Sequence, residues 1–395
     1  MFSTRKRLLE YGFLILMFCF AISLFNMAGY IFTLIAAITF LLCNHRIRFS
    51  SNDLLILLFS VSYFMIYWMH FGIALNEIIL YLIGPWCAYV IAKVYVEESV
   101  HEHSIIILVL VLSIGMYLHG VLNIIAYVNS GHFAQYAHYR QSVDFWRNEL
   151  VNVKTTEMLF TFATGLGLGV FFAKYKLKYK ICAIVIVCVS MLLTIFMANR
   201  SLLIIFVVVL FWRLLCWLLD KHIPFIRKIL LLSGLILILM LVVVAINMNV
   251  SGIGDAFYSM KVVQRFSSDV ELTRFDVWSP FFKNLKFVEY PWGGKLLTQG
   301  SQFGYMHNMW LDVYNVTGIL PFLFLIIITL KLILDFYEFT QVMKRENRKN
   351  ECVVIQSLFL AIAMNMMVEP ILEANPYYFL SVLMFWGAMN QYKKS

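Results

Sequence analysis

Polar residues along this chain fall in clusters, and between them lie apolar runs near 9–26, 29–43, 53–69, 77–93, 104–128, 155–173, 181–198, 201–219, 229–248, 307–334, 352–368 and 376–391. A helix crosses roughly 30 Å of hydrocarbon in about 20 residues, so each run is long enough, or nearly so, to span a bilayer. Amide groups find no water inside hydrocarbon, and a helix satisfies them within the segment itself. The pattern predicts an all-α integral membrane protein of about twelve transmembrane helices: nine in residues 1–248, a large polar loop over 249–306, and three in residues 307–395.

Composition fixes the class. Of the residues, 62% are hydrophobic and 13% charged, with a mean hydropathy of +0.82. Soluble domains carry about 25% charged residues, so lipid is the solvent for most of this chain. Basic Arg5-Lys6-Arg7 before the first run resembles a signal peptide, but a second run follows almost at once and no small-residue cleavage site intervenes. An uncleaved first helix is the expectation. The seven cysteines, at 19, 43, 87, 182, 188, 216 and 352, lie in or at the edge of apolar runs. They form no disulfide framework and no Cys/His metal spacing, and read as small hydrophobes.

Charge sets the orientation. With the N-terminus cytoplasmic, most of the 31 lysines and arginines fall on one side, notably over 174–180 and 344–349. That bias predicts both termini in the cytoplasm and makes the basic pI topological, with no nucleic acid to bind. Loops 250–306 and 129–154 are then external. With the 197–201 turn they hold Arg140, Arg147, Lys154, Arg200, Lys261, Arg265, Arg274, Lys283, Lys286 and Lys295. Long loops translocate regardless of charge, which is explanation enough for the lysines.

Arg200 sits in Met197-Ala-Asn-Arg-Ser201, close to the membrane plane between two apolar runs. Either it snorkels to lipid phosphate or it faces protein or a polar cavity. In the large loop, Arg265 and Arg274 carry guanidinium forks that suit a diphosphate, although Asp269, Glu271 and Asp276 are near enough to pair with them. Phe275, Trp278, Phe282 and Leu285 recur at helical spacing and predict an amphipathic helix on the membrane surface. Pro291-Trp-Gly-Gly predicts a tight turn with positive φ. At the start of the tenth run, Asn308 is placed to cap the helix, and Asn308, Asp312 and Asn315 form a polar stripe that belongs against a cavity or the large loop. His307 is the natural proton acceptor near neutral pH, although a lone interfacial histidine is more often structural.

The order Arg200, Arg265, Arg274-x-x-x-Trp278, Pro291/Gly293/Gly294, His307-Asn308-x-x-Leu311 and Gly318 resembles the O-antigen polymerase and ligase superfamily, as does Glu369-Pro370 before a final aromatic helix. Members of that family are bacterial inner-membrane glycosyltransferases that move glycan from undecaprenyl diphosphate without a nucleotide sugar. The resemblance implies that Arg200, Arg265 and Arg274 hold the donor diphosphate and stabilise the charge that develops on it. It implies that His307 orients or deprotonates the acceptor hydroxyl in an inverting transfer, with Trp278, Asn308 and Asp312 on the substrate side. No cofactor or metal is expected. The implied partners are undecaprenyl-diphosphate-linked oligosaccharide, membrane lipid, a flippase and chain-length regulators. Trp278, Trp292, Tyr305 and Trp310 could stack on sugar rings or simply belong to the interfacial aromatic belt.

Two departures bear on the subclass. The turn reads Pro-Trp-Gly-Gly where Pro-x-x-Gly-x-Gly is usual, and Gly304-Tyr305-Met306 lacks the second histidine found near this point in many ligases. A polymerase is favoured over a ligase that transfers glycan to lipid A core. A lipid-linked oligosaccharide flippase or other transporter is the rival of another class. Against it, no internal repeat is visible, the polar weight lies in one external loop, and Glu77, Glu157 and Glu369 all fall near outer helix ends.

Overall fold

A computed structural model of the chain describes residues 2–42, 49–72, 74, 77–131, 141–221, 223–267, 278, 291–299 and 304–393. It is an all-α architecture with one small hairpin. In chain order the helices are α1 (Phe2–Ala21), α2 (Ala28–Leu42), α3 (Ser51–Phe71), a π-helical stretch Ile78–Ile83 leading into α4 (Gly84–Glu98), and α5 (Ser104–Asn129). An antiparallel pair follows, β1 (Gln141–Asp144) and β2 (Glu149–Asn152), with Gln141 opposite Asn152 and Asp144 opposite Glu149. Next come α6 (Val153–Phe172), α7 (Leu177–Phe196), α8 (Ser201–Leu219), α9 (Phe225–Asn247), α10 (Ile253–Ser259) and α11 (Lys261–Ser267). The last are α12 (Met309–Thr317), α13 (Ile319–Arg345), α14 (Lys349–Val368), α15 (Ile371–Ala374) and α16 (Pro376–Tyr392).

Among the described residues, eight helices are long and apolar enough to cross a membrane: α3, 78–98, α5, α6, α7, α8, α13 and α14. A ninth results if the pair Met240–Asn247 and Val250–Ser259, bent by 97°, is one span. Helices α1, α2, α9 and α16 occupy the other four predicted runs. The run at 307–334 is not one helix. It breaks at Gly318, because residues 291–295 of the large loop bond the carbonyls of Asn315 and Val316 and lie where a continuing helix would pass.

The core is built mainly where α16 lies along α4 and α14 lies along α6. Gly165 and Gly169, one turn apart on α6, meet the backbone of α14. A Cβ on either would come within 2.9 Å of Leu358 Cα or 2.6 Å of Val354 Cα. Small residues at such positions let membrane helices approach closely, where van der Waals packing supplies most of the association energy.

One end of the bundle is clamped by buried polar groups. Asp53 accepts from Lys93 Nζ at 3.0 Å and Trp86 Nε1 at 3.2 Å. Asp335 accepts from Asn52, Trp386, Asn390 and Lys393, with Lys331 Nζ at 3.2 Å. Every one of these carboxylates is buried and matched by donors, so the cluster ties α3, α4, α13 and α16 together. The hairpin marks the opposite end. Trp146 Nε1 donates to Ile22 O at 2.8 Å, Arg147 Nε donates to Asn26 Oδ1 at 2.7 Å, and the Phe145 amide donates to Asn123 Oδ1 at 2.9 Å. These bonds pin the hairpin over the α1–α2 turn and α5.

Candidate functional site

The large loop returns to the bundle through the Pro291–Gly294 turn. His70 Nε2, at the end of α3, lies 2.8 Å from Trp292 O. The Gly294 amide donates to Val316 O at 3.0 Å, the Lys295 amide to Asn315 O at 2.7 Å, and the Ile319 amide to Pro291 O at 2.9 Å. The two backbones touch. A Cβ on Gly293, at φ +75°, would lie 2.6 Å from the Gly318 amide, and one on Gly318, at φ +79°, would lie 2.0 Å from Pro291 O. Only glycine permits both the dihedral and the approach. The polar stripe on α12 completes the joint. Asn315 Nδ2 donates to Thr298 Oγ1 at 3.0 Å, while Asp312 accepts from the amides of Met306 at 2.7 Å and Asn308 at 3.2 Å. Asn308 is the N-cap of α12, with its Oδ1 3.1 Å from the Leu311 amide.

This joint presents His307. Its backbone is left-handed at φ +52°, which costs a non-glycine residue about 1–3 kcal/mol and persists only where the surroundings impose it. Trp278 Nε1 donates to Met306 O and holds the approach to it. The buried imidazole meets Lys154 at the start of α6, closest at Nδ1 and with Nε2 3.3 Å away. Lys154 Nζ also lies 3.3 Å from Glu369 Oε2, with 9% and 0% of the two side chains exposed. Ser201 Oγ donates to the other Glu369 oxygen, and Asn199 Nδ2 donates to Glu157. An ammonium group only donates. The imidazole nitrogen nearest a charged Lys154, Nδ1, is therefore placed as its acceptor.

Beside this cluster lies a cavity of about 390 Å³ between the hairpin, α6 and the start of α16. Its polar lining includes His119, Asp144, Arg147, Lys154, Tyr305 and Glu373. Lys295 reaches Glu373 Oε1 at 2.8 Å and stands 5.9 Å from the centre of the Tyr305 ring, itself 6.3 Å from the His307 ring. Burial pushes the Glu373 carboxyl above its ordinary range, against the pull of the Lys295 charge. Burial also works to raise Asp144. The His119 side chain, 3.4 Å away, and the amide and charge of Arg147 outweigh it and hold that carboxyl below 3.8. Among the described residues, no group of three or more His, Cys, Asp or Glu is placed to hold a metal ion. Chemically, the site offers a buried lysine and half-buried cations for a phosphate group, aromatic walls, and carboxylates able to bond hydroxyls.

Of the sequence-predicted residues, the structure brings His307, Asn308, Asp312 and Trp278 to one joint. Asp312 and Asn308 are engaged with backbone amides there. Arg200, half-buried, opens α8 between Asn199 and Ser201, the two residues that bond Glu157 and Glu369. Arg265 lies on α11, but its side chain falls outside the described residues, as do all of Arg274, Phe275, Phe282 and Leu285. Trp310 donates to Thr329 at 2.8 Å on the bundle side, whereas Trp292 is exposed. Sequence reasoning missed Lys154, Lys295 and Glu373. For the lysines a signal existed, because both stand among the few basic residues that run against the charge bias expected from the sequence.

Comparison with models of known protein families finds no match, and no curated protein matches the chain. The functional reading rests on the residues and their geometry.

Proposed function

We propose that the chain is a glycosyltransferase of the bacterial inner membrane that joins undecaprenyl-diphosphate-linked oligosaccharide repeat units into a surface polysaccharide. In this reading about twelve helices cross the membrane, both termini are cytoplasmic, and the hairpin end faces outward. The observation that carries it is the cluster at that end: Lys154, His307 and Glu369 in contact, flanked by the Arg200 turn and bordering a polar cavity.

Transfer from a lipid diphosphate needs charge stabilisation and positioning more than acid catalysis, because the diphosphate already leaves well. Buried cations aimed at the developing charge supply the first, and they act more strongly in a dry site than in water. Lys154 and Arg200 are the described residues suited to that task, with Arg265 and Arg274 as the loop's contribution. His307, in the tautomer that leaves Nδ1 to accept from Lys154, donates a hydrogen bond from Nε2 to a phosphate or hydroxyl oxygen. Holding two lipid-anchored sugars in register provides the rest.

The test is the glycan ladder of a host deleted for the gene and complemented with wild type, Lys154→Ala or His307→Ala at matched expression. Polymerase activity is expected to appear as a single repeat unit in the deletion strain, a full ladder with wild type, and no ladder with either variant. Long lipid-linked chains that never reach lipid A core in the deletion strain would make the protein a ligase. A normal ladder with both variants would remove the site assignment.

A further inference from the structure

If Lys154 fills the Nδ1 lone pair of His307, the imidazole is a hydrogen-bond donor, and the acceptor's proton needs another destination. Glu373 lines the cavity with one carboxylate oxygen engaged and the other left without a donor. Oε1 is ion-paired with Lys295 at 2.8 Å, while Oε2 is buried and bonded to no described residue. The side chain is 9% exposed. A buried carboxylate oxygen without a donor is costly, and a hydroxyl in the cavity removes that cost. About 390 Å³ lies within the range of ligand pockets, roughly 300–1,000 Å³. Tyr305 and Tyr377 give it aromatic walls, and Asn152 and Asn375 give it amide edges, the combination that a polyhydroxylated ring uses.

We infer that this cavity holds the acceptor sugar and that Glu373 takes the proton from its attacking hydroxyl. The inference rests on the glycosyl-transfer reading above and names the base that reading lacks. The hydroxyl oxygen forms the new bond to the donor's anomeric carbon as the bond from that carbon to the diphosphate oxygen breaks. Its electron pair leaves with the diphosphate. The hydroxyl proton passes to Glu373 Oε2 and later to water. Lys295 keeps the carboxylate ionised between turnovers, and burial makes it a stronger base than an exposed glutamate. The titratable groups around Glu373 are Lys295, Tyr305 and Asp312 from the loop and α12, and Tyr63, Tyr67 and Tyr81 from α3 and the π-helical stretch.

The experiment compares purified wild type, Glu373→Gln and Lys295→Met in detergent, using lipid-linked repeat unit extracted from the deletion host. Elongation rate is followed against pH, with thermal unfolding as the folding control. Wild type is expected to elongate and to lose rate on the acid side. Glu373→Gln should lower kcat by roughly 10²–10⁴ with KM little changed and without the acid limb. Lys295→Met, which takes the cation from the carboxylate, should move the acid limb to higher pH. A folded Gln variant that keeps near-normal kcat and the acid limb would overturn the role of Glu373 alone, as would an unmoved limb in Lys295→Met. If folded wild type does not elongate, the transfer reading itself fails, and this inference with it.

Discussion

Lys154 and Glu369 are buried as a pair, and their worth differs from that of a surface ion pair. Bringing two charges out of water costs about as much as their attraction returns, but removing one leaves the other uncompensated. Lys154→Met is therefore expected to lower stability by roughly 3–5 kcal/mol, read from denaturant or thermal unfolding in detergent. Adding Glu369→Leu should recover part of that loss, so the double-mutant cycle should show a coupling of roughly 1–3 kcal/mol. Additive losses would mean that the pair does not act as one. From the sequence, Lys154 was legible only as a basic residue on the unfavoured side, because nothing local marks a partner 153 residues away at His307. Asn308 was legible in full, since a cap depends on residues within one turn. Asp312 was legible as polar and inward, while its partners in the loop backbone were not.

Elements were legible wherever one period ran long enough. The apolar runs landed on helices because lipid rewards uniform hydrophobicity over a whole span. The β1–β2 hairpin was not, since two four-residue strands rich in polar residues carry too little alternation to separate from loop. Nor was the break at Gly318, which is made by a distant segment. Gly318→Ala is expected to cost roughly 1–3 kcal/mol from its left-handed backbone, with further loss from overlap against Pro291 O. Gly304→Ala, which meets nothing within 4 Å, should change the unfolding midpoint little. Equal effects of the two would dissolve the joint as a structural unit. Docking of the hairpin should depend on pH through Asp144, whose folded value lies below its ordinary 3.8. Its contribution is present above 3.8 and is lost as pH falls through the lower folded value. The melting temperature should drop over that acid window, and Asp144→Asn should flatten the drop.

At the scale of the molecule, two buried polar networks sit at opposite ends of an apolar bundle. The Asp53 and Asp335 networks draw donors from four helices and act as a clamp, with each carboxylate matched. The network at the hairpin end is different in kind: it includes a strained histidine, a glutamate with a buried oxygen that no donor meets, and a cavity. Composition made the solvent plain and charge gave an expected orientation, but neither separated a clamp from a site. That distinction needs the partners of each carboxylate, which only the folded chain brings together. Helix α9 lies largely outside this economy, with Leu237, Met240 and Leu241 about 60% exposed, as a lipid-facing helix should be.

The assembly of the His307 cluster also sets a clock on biosynthesis. Lys154 enters the membrane region 153 residues before His307 is made, and Glu369 comes later still. At roughly 5–20 residues per second, about eight to thirty seconds separate the synthesis of the lysine from that of His307. Until then the two side chains that bury Lys154 in the cluster have not been made. The site is thus complete only once the segment carrying Glu369 has been made, so its assembly belongs to the closing stage of the nascent chain's synthesis.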